Sequence, residues 1–91
     1  MKIIYLSSYD RSFKGLTLQE QGITEGVIAQ LIDAIVTGKK PTGLGLKKCG
    51  RGYWEVRINI SKRVIFSFIT GGLVFSFVGD HNAVKRFLKR G

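Results

Sequence analysis

Two strongly apolar runs, Arg63–Ile69 and Leu73–Val78, are separated only by Thr70-Gly71-Gly72, and this arrangement closes off most folds. Each run is shorter than an ordinary helix and rich in Val, Ile and Phe, so each reads as a strand. A joint containing two glycines turns the chain back on itself as a hairpin. Nearly every position is apolar, rather than every second one. Both strands are therefore expected at the centre of a sheet covered on both faces, with Phe66, Phe68, Phe75 and Phe77 in the core.

The flanking sequence fits around this hairpin. In Tyr53–Asn59 the period is two: Trp54, Val56 and Ile58 fall on one side, Glu55, Arg57 and Asn59 on the other. That adds a strand, which Asn59–Lys62 turns into the hairpin. Over Ile23–Val36 the period becomes helical, with Ile23, Val27, Ile28, Leu31, Ile32, Ile35 and Val36 on one stripe. Thr17 or Thr24 can cap that helix, Gly38 suits its C-terminal end, and Pro41 prevents its continuation. Lys2–Leu6 reads as a short first strand and Tyr9–Leu16 as a short helix. Lys39–Gly52 is a Gly- and Lys-rich loop with a short strand at Leu44–Leu46. Asp80, a favoured N-cap residue, opens a basic last helix with Val84 and Leu88 at i, i+4. The order β-α-α-β-β-β-α predicts an α+β fold, a small antiparallel-dominated sheet with N-terminal helices packed on one face. At 91 residues this is a single domain over 1–91.

Charge divides the chain. Residues 1–46 hold five Lys and Arg against four carboxylates, whereas residues 47–91 hold ten against two, within a total of +9. A basic half joined to a near-neutral half points to a polyanion-binding face, with nucleic acid or the ribosome as partner. A membrane partner is not expected, because the basic residues do not line one long amphipathic helix. No apolar run approaches the roughly 18 residues needed to cross a bilayer, and Met1–Asp10 lacks the long apolar region of a signal peptide. The expected location is the cytoplasm. Cys49 is the single cysteine. It has no partner for a disulfide and no second ligand at zinc spacing, so it reads as a loop or edge thiol and no metal or cofactor is expected.

The chemistry gathers around one edge of the sheet. Antiparallel pairing brings the end of the Leu73–Val78 strand to the start of Arg63–Ile69, and with it His81 to Arg63. Histidine changes charge near neutral pH and suits a general acid. Arg63 and Arg57 can clamp a phosphate and stabilise developing charge. RNA cleavage by its own 2′-OH needs these parts and a base. Lys47, Lys48, Arg51 and Lys62 are the candidate RNA contacts. The plainer readings are that His81 is a surface residue, that Arg57 pairs with Glu55, and that Lys85, Arg86, Lys89 and Arg90 form a solvated face.

Three stretches carry a family resemblance. Gly52-Tyr53-Trp54-Glu55-Val56-Arg57-Ile58, Arg63-Val64-Ile65-Phe66, and Gly79-Asp80-His81 with Val84 and Phe87-Leu88 resemble toxins of the RelE/ParE superfamily. The first two are similar to the YoeB branch, and Arg11-Ser12-Phe13-Lys14 resembles the family's first helix. The resemblance implies a toxin of a toxin–antitoxin system, a metal-independent messenger RNA endoribonuclease working in the ribosomal decoding site. Its partners would be the ribosome, the message and an acidic antitoxin. In that comparison Arg63 matches the family's strand-start arginine, His81 the C-terminal histidine of the YoeB and YafQ branches, and Arg57 a basic strand residue. Two features depart from the pattern. The loop carboxylate that acts as base in the YoeB branch falls near Thr42, and the final tyrosine of the RelE branch is absent. Lys47, Lys48, Glu55 or a ribosomal group are the remaining candidates for the base. A ParE-like poison of DNA gyrase and an inactive RNA-binding relative are the alternative readings.

Overall fold

A computed structural model describes residues 1–41 and 43–90. The elements are β1 (Lys2–Tyr5), α1 (Ser7–Lys14), α2 (Leu18–Thr37), β2 (Lys47–Gly50), β3 (Tyr53–Arg57), β4 (Lys62–Ile69), β5 (Gly72–Asp80) and α3 (His81–Arg90). The sheet has five strands in the order β1-β5-β4-β3-β2. Only β1 runs parallel to its neighbour. The α+β fold expected from the sequence is the one observed, with one strand more than the order β-α-α-β-β-β-α contains. The additional strand, β2, lies at Lys47–Gly50, after the expected Leu44–Leu46. Those residues form no strand, although the Leu44 carbonyl accepts the Arg57 N–H at 2.8 Å.

The hairpin anchors everything else. Val56, Val64, Phe66, Leu73 and Phe75 are fully buried and form one core with Ile28 and Leu31 of α2 and Tyr9 of α1. At Gly72 the Lys2 carbonyl of β1 occupies the place of a side chain, so only glycine lets these backbones pair there. Phe68 departs from expectation. It is 48% exposed near the end of β4 and packs edge-on against Trp54. Past Tyr5, β1 no longer covers β5, and α1 takes over its edge. The Ser8 hydroxyl donates to the Ser76 carbonyl at 2.6 Å, and the Ser12 hydroxyl accepts the Val78 N–H at 3.0 Å. Buried backbone groups that would otherwise be orphaned are thereby satisfied.

Helix α2 starts earlier than its apolar period. Thr17 and Glu20 form a capping box, each accepting the other's backbone N–H at 3.1 Å. Thr24 is inside the helix, its hydroxyl bonded to the Glu20 carbonyl. Gly38 ends it in the left-handed region at φ 73°. Helix α3 packs on the opposite face from α1 and α2. There Phe87 stacks on Phe77 with centroids 4.9 Å apart and meets the edge of Tyr53. No helix of the described residues is long and apolar enough to cross a membrane.

Glu20 also reaches across to the sheet, where Lys62 Nζ donates to its carboxylate at 3.0 Å. The Thr17 backbone N–H, and then Lys62, hold the Glu20 carboxyl below its ordinary range. A depressed folded pKa means stabilisation that is complete above the unfolded value and is lost as pH falls through the folded one. Glu20→Gln should therefore lower Tm at pH 7, and the gap to the parent protein should close at a pH low enough to protonate the folded protein's carboxylates. An equal gap at both pH values would show that the charge of Glu20 contributes nothing.

Candidate active site

The residues expected to carry chemistry meet where β5 passes into α3. Asp80 pairs with Lys62 at the end of the sheet, and its carboxylate accepts the Ala83 N–H at 2.8 Å. This cap fixes the first turn of α3 and places His81 at its start, exposed. Arg63, paired with Gly79 on one side and Arg57 on the other, reaches across the same face. Its Nη1 lies 3.2 Å from His81 Nδ1 and 3.5 Å from Glu55 Oε2. The first contact is a hydrogen bond, and the second is an ion pair longer than a charge-assisted hydrogen bond.

Around these groups is a cleft of about 270 Å³ between β2, β3, β4 and α3. Lys47, Lys48 and Lys85 bring cationic side chains to it, and Val84 and Leu88 supply apolar wall. Glu55 is 5% exposed. Burial of a carboxylate is unfavourable unless it is paired, and here Arg63 provides the pairing, with Lys47 in register on β2. Cys49 also lines the cleft. Burial, and next the charge of Glu55, push its thiol up, opposed in part by Lys47, which disfavours the thiolate a nucleophile requires. Among the described residues Arg63 Nε is buried without a hydrogen-bond partner.

The remaining sequence candidates are placed as follows. Arg57 lies outside the cleft, exposed and directly across β3–β4 from Arg63. Its side chain runs beside Gly45, where an added Cβ would sit 3.4 Å from the Arg57 Cβ. Arg51 borders a neighbouring hollow with Tyr53 and Leu88. Lys62 is not brought to the cleft, because adjacent residues of β4 point to opposite faces; it lies on the α2 side, where Glu20 binds its ammonium. Thr42, the position of the family's loop carboxylate, lies outside the described residues. Two features escaped the sequence reading. Lys85, read as part of a solvated face, lines the cleft one helical turn from His81, a spacing that already placed both on one side. Glu55 pairs with Arg63 rather than with Arg57. Among the described residues no three His, Cys, Asp or Glu side chains come together as metal ligands. What the cleft can do is bind an anion such as a phosphodiester and move one proton beside it.

No protein-family model and no curated protein matches the chain. Solved structures do. YafQ from E. coli matches with a TM-score of 0.67 at 15% identity, covering 91% of this chain and 96% of YafQ. A chain of the RelB–RelE antitoxin–toxin complex from Methanococcus jannaschii matches with a TM-score of 0.67 at 10% identity, over 92% and 96%. This is the RelE-type toxin fold. A YoeB/ParE toxin from Agrobacterium tumefaciens shares it with a TM-score of 0.63 at 20% identity, over 89% of this chain and 99% of that one. The RelE-type fold was expected from the three stretches above. Identity this low speaks for architecture, not for activity.

Proposed function

We propose that this protein is the toxin of a toxin–antitoxin pair and cleaves messenger RNA on the ribosome by acid–base chemistry without a metal. The observation that carries this reading is the Arg63–His81 contact in a lysine-rimmed cleft on a RelE-type fold. In such a cleavage the 2′ oxygen of a ribose attacks the adjacent phosphate and the 5′ oxygen departs. Exposed at the cleft, His81 gives its proton to the departing oxygen. Arg63, with Arg57 beside it, binds the phosphate and stabilises the charge that builds in the transition state. Two arginines directly opposite on paired strands repel each other. An incoming phosphate relieves the repulsion and brings acceptors to Arg63. Lys47, Lys48, Lys85 and Arg51 hold the RNA backbone. The 2′ proton goes to a ribosomal group, or to whichever of Lys47 and Lys48 is then a neutral amine and not bound to phosphate.

The natural partner of so basic a chain is an acidic antitoxin, as RelB is the antitoxin in the RelB–RelE complex, and the setting is the cytoplasm. Inducible expression in bacteria tests the reading. Primer extension should reveal cut transcripts while a DNA-damage reporter stays silent. Intact transcripts with an active reporter would replace this reading with the ParE-like one, a poison of DNA gyrase.

A further inference from the structure

We infer that Glu55 is a positioning residue which, through Arg63, fixes the ring nitrogen of His81 that carries the proton. The consequence for cleavage rests on the functional reading above, whereas the geometry does not. One nitrogen, Arg63 Nη1, makes both contacts: 3.2 Å to His81 Nδ1 and 3.5 Å to Glu55 Oε2. A guanidinium has five donors and no acceptor. His81 Nδ1 must therefore accept, and the neutral ring carries its hydrogen on Nε2. That nitrogen lies on the far side of the ring from Arg63, so the neutral ring offers a ligand its N–H as a hydrogen-bond donor. The ring acts as an acid once Nδ1 is protonated too, which opens the contact with Arg63.

Arg63 needs an anchor to hold this position. Lys47 from β2 and Lys85 from α3 face the same cleft and repel it, and Arg57 stands across from it. Glu55 is the one carboxylate among the described residues lining the cleft. At 5% exposure, with Arg63 against its carboxylate, it is badly placed to take a proton from a ribose. It is well placed to hold a guanidinium. A second-layer partner that orients a histidine in this way sets its tautomer.

The chain has one histidine, so its ring can be read without assignment ambiguity. Long-range 1H–15N spectra of the labelled protein at about pH 9, where an ordinary imidazole is neutral, should show one protonated nitrogen, Nε2, and one acceptor nitrogen, Nδ1. In Glu55→Gln and in Arg63→Met the two nitrogens should move toward a shared, averaged position. Glu55→Asp, which keeps the charge on a shorter stem, should fall between and serves if the glutamine variant does not fold. Cleavage by Glu55→Gln should drop about tenfold, the scale of one weakened charged contact. A parent-like tautomer pattern in Glu55→Gln would overturn the inference. If its cleavage were abolished as well, Glu55 would be the base itself. The spectra involve no RNA, so a parent protein that cuts no message would defeat the functional reading while leaving the tautomer result to stand or fall separately.

Discussion

His81→Ala is expected to abolish growth inhibition, with cleavage of message reduced by about 10²–10⁴, the range for loss of a general acid. The fold should survive. His81 is an exposed residue at the first position of α3, and the Asp80 cap that holds the helix start uses the Ala83 N–H, not the ring. Surface changes of this kind usually stay within about 0.5 kcal/mol. The apolar side of α3, with Val84 buried and Phe87 stacked on Phe77, is untouched. The variant should therefore melt close to the parent protein. Full toxicity in an inducible-expression assay would reject the acid role.

The second large effect separates a site from diffuse charge. Arg63→Ala should lose far more activity than Arg90→Ala, although each removes one positive charge. Arg63 is held by Glu55 and His81 with its guanidinium already in the cleft, and a preorganised cation there acts on the transition state with little reorganisation. Loss of one such group costs about 10²–10³ in rate. Arg90 is exposed at the end of α3 and attracts RNA only through a field that salt screens within about 8–10 Å. Its loss should be small and should fade as salt rises. Equal losses at both positions would mean that net charge carries the function. Arg63→Ala also leaves Glu55 buried without its partner, so a melt of the purified variant belongs beside the assay.

The parts of the fold that were legible in the sequence are those whose burial leaves a period. The β4–β5 hairpin was readable because its apolar runs and glycine turn have no other economical arrangement. The apolar stripe of α2 was readable for the same reason from Val27 to Ile35, whereas its outer members Ile23 and Val36 stay exposed. The first turn of α2 leaves no stripe, because Leu18 is 86% exposed and Gln19-Glu20-Gln21 are polar, so periodicity could not choose between Thr17 and Thr24 as the cap. The available signal there was Thr17-x-x-Glu20, the capping box. Strand β2 is a four-residue edge strand, Lys-Lys-Cys-Gly, with an irregular register between Lys48 and Gly50. It shows neither alternation nor β propensity, and only pairing with β3 defines it. The placement of α3 on the far face depends on Phe87 finding Phe77, a contact no local pattern announces.

The same division holds in the site. Antiparallel pairing was enough to bring Arg63 and His81 together, because register follows from the hairpin. The ion pairs were not readable. Alternation gives the face on which Glu55 lies but does not choose between Arg57 on its own strand and Arg63 on the next. Lys62 and Glu20 are 42 residues apart, and only the docking of α2 joins them. Strand alternation by itself puts Lys62 on the face opposite its neighbour Arg63, and the pairing with Glu20 engages it there.

The most direct measurement is primer extension on a defined message in a translating extract supplied with the purified protein. New 5′ ends should appear within the translated region. They should vanish when initiation is blocked, and a chelator of transition metals, dosed to leave magnesium for the ribosome, should not diminish them. A message that stays whole while it is translated in the presence of folded protein would contradict the account.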